Sequence, residues 1–434
     1  MRRSVLRLLR CLAVVAVLGL AAACLGQRER QESIQVTPAS PSPTVRASPT
    51  PTMVATVAPT ATVAPTATEV VSLPILVGES TPTPTWLAQA QANLPILSNV
   101  QSTPMPSTTF TLTPVPTLTP TPTLPWPEPL EKPGRSKLGL HVQWNNSPEI
   151  MEFIRRMKPA VVKSTGDLGF LAEVKAASPS TVTIARLLNS SLSMEGDPVE
   201  AARTFVAQNL PEYQRHPAVD YWEGLNEPGI QGRMEWYTSF EVERVRLMAE
   251  HGLRCAVGGF STGVPEWDEF AAFLPAIEAA QEHQGILTLH EYDAPTLDRS
   301  VGAGLPGQPA HAERGAFALR YRWWYEDFLK PKGLVLPLVI SEAGIDGTIP
   351  NRPGPKGRGW QDFSGYWVEQ GVAEDGIQAL LKQLSWYDAE LQRDPYVIGF
   401  AVFTAGAMTG EWASYDITQV LRHIATYIVA PSAR

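Results

Sequence analysis

Cysteine is scarce: the 434-residue chain has 3, so no disulfide framework holds it together. Basic charge is not in excess either. Lys+Arg 35 stand against Asp+Glu 43, a net charge of −8, which argues against a nucleic-acid partner. The apolar run between Cys11 and Cys24 falls short of the roughly 20 residues that a membrane-spanning helix needs. No Gly-x-Gly-x-x-Gly follows the first predicted strand, no Gly-x-Ser-x-Gly elbow stands at a strand end, and His-Glu-x-x-His and paired cysteines are absent. Dinucleotide, serine-nucleophile and metal chemistry therefore lack their usual residues, and neither a metal nor another cofactor is expected.

What is abundant is proline. Its 40 residues are about twice the usual share, and they crowd toward the N-terminus. There, Met1-Arg2-Arg3 with Arg7 and Arg10 precedes the short apolar run and a group of small residues, the layout of a secretory signal over residues 1–24. Leu20-Ala21-Ala22-Ala23-Cys24 resembles a bacterial lipobox, in which Cys24 would be lipidated; ordinary cleavage after an alanine is the other reading. Residues 25–135 are dominated by Thr-Pro, Pro-Thr and Ser-Pro steps, as in Thr119-Pro120-Thr121-Pro122-Thr123. Such a segment cannot bury enough apolar area to fold, and proline extends it, at about 3.1 Å per residue where fully polyproline II. It reads as a disordered stalk that lifts residues 136–434 off a surface. The membrane is a partner through the lipid anchor alone, and the protein is expected outside the cell or at its surface.

From residue 136 onward, short apolar runs alternate with longer amphipathic stretches, the mark of repeated βα units. Strands are predicted over 138–144, 160–165, 181–188, 220–226, 254–260, 286–292, 334–342 and 397–404. Each is followed by a predicted helix: after Ser147-Pro148, after Asp167, from about Asp197-Pro198, over 234–251, after Pro265, over 312–329, through Leu380, and over 417–428. Eight such units predict a closed (β/α)8 TIM barrel. An open doubly wound sheet is the alternative, weakened by the missing glycine fingerprint.

Two carboxylates stand out against this count. Tyr221-Trp222-Glu223-Gly224-Leu225-Asn226-Glu227-Pro228 ends the fourth strand on Glu227. Leu338-Val339-Ile340-Ser341-Glu342 ends the seventh on Glu342. Barrels place their chemistry at C-terminal strand ends, and a carboxylate at the end of a buried strand is costly unless paired or used. Two of them are the minimum equipment for cleaving a glycosidic bond. One must be ionised and the other protonated. Lys163 or Arg186 offers the cation that would keep Glu342 ionised, and an apolar setting near Trp222 and Tyr221 would let Glu227 hold its proton. Glu223 shares the inward side with Glu227 and needs a partner, again Arg186 or Lys163.

At these residues the chain resembles glycoside hydrolase clan A, nearest to family 5. Asn226-Glu227-Pro228 is similar to the clan's acid/base motif, Ser341-Glu342-Ala343-Gly344 to its nucleophile strand, and His290-Glu291-Tyr292 to its His-x-Tyr signature. The resemblance implies that Glu227 is the acid/base and Glu342 the nucleophile of a retaining glycosidase acting on a poly- or oligosaccharide. It implies that Asn226 bonds the sugar 2-hydroxyl and that His290 and Tyr292 line the floor. The chain departs from the clan twice. Lys163 stands on the second strand where the clan has arginine, Arg186 lying on the third. Ala401-Val402-Phe403-Thr404 lacks the clan's platform tryptophan, the nearest being Trp412.

His141 and Gln143 point the same way on the first strand, toward the sugar or into packing. Trp144, Trp360 and Trp412 are the candidate sugar platforms. Cys255 reads as a packed thiol. The rival function is a catalytically inactive barrel acting as a surface carbohydrate-binding or scaffolding protein. For the N-terminus the expected outcome is that Cys24→Ser abolishes incorporation of a labelled fatty acid in a bacterial host and moves the protein to the soluble fraction. Undiminished labelling would remove Cys24 as the anchor.

Overall fold

A computed structural model describes residues 124–188 and 191–430. The signal, Cys24 and nearly all of the stalk lie outside the described residues. Eight parallel strands close into a barrel in chain order, which is the (β/α)8 fold. They are β1 (Leu138–Val142), β2 (Val161–Ser164), β3 (Val182–Ala185), β4 (Tyr221–Glu223), β5 (Cys255–Phe260), β6 (Ile286–Asp293), β7 (Leu338–Ile345) and β8 (Val397–Ala405). Pairing of Leu138 with Phe400 and of Leu140 with Val402 closes the ring.

The helices are α1 (Pro148–Met157), α2 (Leu171–Ala177), α3 (Pro198–Arg215), α4 (Met234–Glu250), α5 (Trp267–Glu282), a mixed α–π stretch α6 over 321–332, α7 (Trp360–Glu369), α8 (Gly376–Gln392) and α9 (Leu421–Val429). Capping side chains start several of them. Ser147 accepts from Glu149 N, Asp197 from Val199 N, and Asp375 from Gln378 N, each satisfying an orphan donor of the first turn. Two helices differ from expectation. The stretch predicted as one helix through Leu380 is two, α7 and α8. The sixth helix starts at Tyr321 rather than near residue 312. Its start is set by Glu291 on the outer face of β6, whose carboxylate accepts from Leu319 N (2.7 Å) and Tyr321 N (2.9 Å). Residues just before the barrel are tied to it: Leu130 N donates to Arg156 O, and Arg422 Nη1 to Leu124 O.

The barrel interior is layered. Val161, Ile184, Ala256, Ile286, Val339 and Ala401 form an apolar floor, each buried valine or isoleucine in it contributing roughly 1.5–3 kcal/mol. Strand alternation puts residues two positions on at the same face. Above Val161 comes Lys163, above Ile184 comes Arg186, above Tyr221 comes Glu223, and above Val339 comes Ser341. The floor seals one end, and the polar layer opens toward the strand C-termini.

Strand β4 is the shortest, and a buried cation holds it. Arg244 on α4 pairs with Glu241 (2.7 Å), both fully buried. Its guanidinium donates to Trp222 O (3.2 Å) and Ala256 O (2.9 Å), binding β4 to β5 directly below the turn that carries Glu227. Breaking such a pair from one side costs about 3–5 kcal/mol. Arg244→Ala is therefore expected to lower the urea-unfolding free energy by about that amount; a loss below about 1 kcal/mol, the range of exposed pairs, would show that the pair does not hold this junction.

Candidate active site

Glu342 is aimed by an irregularity. Along β7, Val339 and Ser341 face the interior, so alternation alone would turn Glu342 outward. The register against β6 shifts between Leu289 and His290, leaving Ser341 unmatched and setting Glu342 opposite His290. A bulge of this kind re-aims a side chain, and Glu342 joins Ser341 inside the barrel. The strand then runs on to Ile345, so Glu342 lies within β7 rather than at its end.

Glu227 is aimed by a strained turn. Strand β4 stops at Glu223, and Glu227 follows in a left-handed backbone conformation, φ 44°. That is rare for a residue other than glycine, and rarer before proline, which pushes its predecessor to extended geometry. The strain costs about 1–3 kcal/mol. It is held by the hydrogen bond from Glu227 N to Gly259 O (3.0 Å). Gly258 permits the close approach of β5 to β6, since a Cβ there would stand 2.6 Å from Thr288 O.

One carboxylate oxygen of Glu227, one of Glu342 and a ring nitrogen of His290 all lie within 4.8 Å of one another. The carboxylates line one cavity of about 360 Å³, shared with His141, Arg186, Asn226 and Tyr292. Lys163 Nζ stands 2.9 Å from Glu342 Oε1 and 2.8 Å from Glu223 Oε2, with its side chain fully buried. The contact to Glu223 is an ion pair by distance, but its alignment is too poor for a directed hydrogen bond, and both Glu223 oxygens lack such a bond. Arg186 Nη2 and His141 Nε2 each stand 3.6 Å from Glu342 Oε1. Tyr292 OH donates to Glu342 Oε2 (2.9 Å). Burial opposes the charge on Glu342, but His290, Lys163, His141 and Arg186 outweigh it and hold the carboxyl well below the usual range. Burial of Glu223 is likewise overcome, by Lys163 above all, leaving its pKa at about 2.

The setting of Glu227 differs from the apolar one expected. Trp222 is fully buried and packs on Tyr213 (centroids 4.5 Å), while Tyr221 lies under Arg254. The neighbour that Glu227 has is His290, whose Nδ1 lies 2.8 Å from Glu227 Oε1. Lys163 Nζ lies 3.5 Å from the other ring nitrogen, Nε2. An ionised carboxylate only accepts, so Nδ1 carries the hydrogen given to Glu227. Burial raises the Glu227 carboxyl, this hydrogen bond lowers it, and the net position is below the ordinary carboxylate value.

Lys163 and His290 have fully buried side chains and stand behind the carboxylates rather than in the cavity wall. Trp412 lines the cavity, with Phe403 in T-shaped contact at 5.3 Å. Trp144 is half exposed and lines a neighbouring groove of about 610 Å³ that meets the cavity at Thr165 and Leu188. That groove is larger but holds no facing pair of carboxylates. Trp360 is no platform: it is buried, and its Nε1 donates to Asp416 O (3.2 Å). Asp346, Arg358 and Tyr415 also line the cavity, and no motif marks them in the sequence. Cys255 is a packed thiol, buried and pushed up to about 11 by that burial.

Glu227, His290 and Glu342 have the spacing of a metal-ligand trio. The trio does not suit a metal, because Lys163 and Arg186 already neutralise Glu342 from 2.9 and 3.6 Å and would repel a further cation.

No protein-family model and no curated protein matches the chain. Solved structures do. A family 39 glycoside hydrolase from Bacteroides cellulosilyticus aligns at 12% identity and a TM-score of 0.45 over 70% of this chain and 65% of its own. The chain thus spans just under two thirds of that protein. A family 128 endo-β-1,3-glucanase from Pseudomonas viridiflava aligns at 16% identity and a TM-score of 0.38, covering 68% and 98%. An endoglucanase from Pseudomonas stutzeri gives 13%, 0.40, 69% and 97%. These neighbours are glycoside hydrolases, and the likeness is too loose to speak for the chemistry of this site.

The site generates a test of Lys163. Glu342 and Glu223 are both depressed, so the stability they contribute is present above the unfolded carboxyl pKa, about 4.3. It is lost as pH falls through the folded value, about 2 for Glu223. Lys163→Met leaves both carboxylates buried without their cation and is expected to cost about 3–5 kcal/mol near neutral pH. The gap to the unmutated protein should shrink in urea-unfolding experiments near pH 3, where the variant's carboxyls take up protons. An equal gap at both pH values would remove Lys163 as their counter-ion.

Proposed function

We propose that this protein is a retaining glycoside hydrolase, held at the cell surface by lipidated Cys24 on the Thr/Pro stalk. The observation that carries the reading is the pair itself: carboxylate oxygens of Glu227 and Glu342 within 4.8 Å of each other. Retaining enzymes set their two carboxyls about 5–5.5 Å apart, and inverting ones roughly 6.5–9.5 Å to admit a water.

In this reading Glu342, kept ionised by Lys163, attacks the anomeric carbon. The bond to the leaving oxygen breaks, and that oxygen takes the proton of Glu227. Tyr292 OH and Lys163 orient the nucleophile, and Asn226 in the cavity wall holds the sugar. Glu227 is 38% exposed in its side chain, so a sugar seated over it removes water and raises its pKa. The charge of Glu342 acts in the same direction. Once Glu342 is esterified that charge is gone, Glu227 becomes the stronger acid, and its carboxylate is free to take a proton from the attacking water. Water then adds to the anomeric carbon, the ester bond breaks, and Glu342 leaves as carboxylate. Configuration is retained after two displacements.

Expected outcomes follow for a panel of soluble glycans. Glu227→Gln lowers kcat/KM by about 10²–10⁴-fold on natural linkages, the usual scale of general acid catalysis, and Glu342→Gln abolishes turnover. Proton NMR of the first product shows the anomer of the substrate. Product of the opposite anomer would sink the retaining mechanism. Glycan binding by the unmutated protein with no turnover at all would favour the inactive, carbohydrate-binding barrel instead.

A further inference from the structure

The groove beside the catalytic cavity takes no part in the chemistry described above. It lies between the turn after β2, Thr165 to Leu168, and one face of α3, where Gln208, Glu212 and Arg215 recur at helical spacing. The 7-residue α2 contributes nothing to its lining.

Groove and cavity are continuous. Thr165 and Leu188 line both. They meet over Gly166, which lines the groove and packs directly on the cavity wall: a Cβ there would stand 2.3 Å from Gln143 O and 3.2 Å from Met408 Sδ. Gln143 and Met408 line the cavity, and Gln143 Oε1 accepts from Met408 N (2.9 Å), fixing this part of the wall.

The junction is also where apolar surface is left open. Six large hydrophobic side chains are exposed among the described residues, and three of them, Trp144 (47%), Leu188 (62%) and Met408 (40%), line the groove or the cavity next to it. Single exposed apolar residues need no explanation, but a cluster of them beside a cavity marks a binding surface. Trp144 is held at its backbone, its N donating to Gly406 O (3.1 Å) and its O accepting from Asn146 N (2.8 Å). A half-exposed indole on a fixed backbone is a preformed stacking surface that loses little freedom on binding.

Across from these residues the α3 wall is polar. Gln208 donates and accepts, Arg215 donates, and Glu212 accepts, steadied by Arg215 and His216. An apolar face opposite side chains of both hydrogen-bonding signs suits a ligand with apolar ring faces and hydroxyl edges. A groove that starts at the catalytic cavity makes that ligand a continuation of the substrate.

We propose that the groove over α3 is a binding site for the distant part of a glycan chain, with Trp144 stacked on one sugar ring and Gln208 and Arg215 bonding hydroxyls. The substrate is then a long chain rather than a small glycoside. This rests on the glycosidase reading above.

The test compares chain lengths. For the unmutated protein, kcat/KM is measured from trisaccharide to octasaccharide in β-glucan, xylan, mannan and polygalacturonate series, and Glu227→Gln is titrated calorimetrically with the same octasaccharides. The expected result is a rise in kcat/KM of at least about tenfold from trisaccharide to octasaccharide of the cleaved series, because binding energy from remote sugars is used at the reacting bond. Trp144→Ala and the double variant Gln208→Ala, Arg215→Ala each remove most of that rise, and Trp144→Phe, which keeps an aromatic face, restores it. Equal kcat/KM at every length, or a rise that survives both alanine variants, would overturn the inference. Octasaccharide binding that needs Trp144, with no cleavage by the unmutated protein, would overturn the glycosidase reading and leave the groove standing. Neither binding nor cleavage of any octasaccharide would overturn both.

Discussion

The site depends on one buried lysine. Lys163 touches Glu342 at 2.9 Å, Glu223 at 2.8 Å and His290 Nε2 at 3.5 Å, and no part of its side chain reaches solvent. A lone ammonium in such a place would lose its proton. Two carboxylates make its charge favourable, and it does the same for them. The arrangement is costly to desolvate and pays nothing to the core that leucines would not. Its use is directional: it holds Glu342 ionised from behind and stands against His290.

That contact links the two glutamates. His290 lies between Lys163 and Glu227, with its Nδ1 hydrogen turned to the Glu227 carboxylate. The cation thus acts directly on the carboxylate of β7 and, through one ring, on the carboxylate beyond β4. The same floor of aliphatic side chains supports both, and Arg244 ties the β4–β5 junction from outside the ring. Strain at Glu227 is tolerable because its backbone bond to Gly259 and its side-chain bond to His290 hold it in place.

Regular features were legible in the sequence and irregular ones were not. Short apolar runs located all eight strands, and Ser147-Pro148, Asp197-Pro198 and the apolar pattern after them located helix starts. Glu223 needed a partner by burial alone, and Lys163 is that partner. The bulge that turns Glu342 inward has no local signature, because it arises from a register mismatch with β6. Strict alternation would have sent this side chain to the helix layer. The surroundings of Glu227 were misread for a related reason. Its neighbours in sequence are aromatic, but a left-handed turn swings it away from them and toward His290 on a strand two places round the barrel. Trp360 was misread because a tryptophan after a strand looks the same whether its loop stands up or folds down; here it begins a helix and is buried.

The two departures from the clan pattern can be seen as one rearrangement of charge. A short ammonium on β2 replaces the expected guanidinium, and a guanidinium appears on β3. Lysine is a compact point charge, able to sit between Glu223 and Glu342, where the wider fork of arginine would not fit the same gap. Arg186 then faces Glu342 from the cavity side, with planar donors that lysine lacks. Two cations thus stand against Glu342, one on β2 and one on β3. The lysine is sealed behind Glu342, whereas the arginine lines the cavity. Glu342 is held ionised by one cation buried behind it and by a second in the cavity wall.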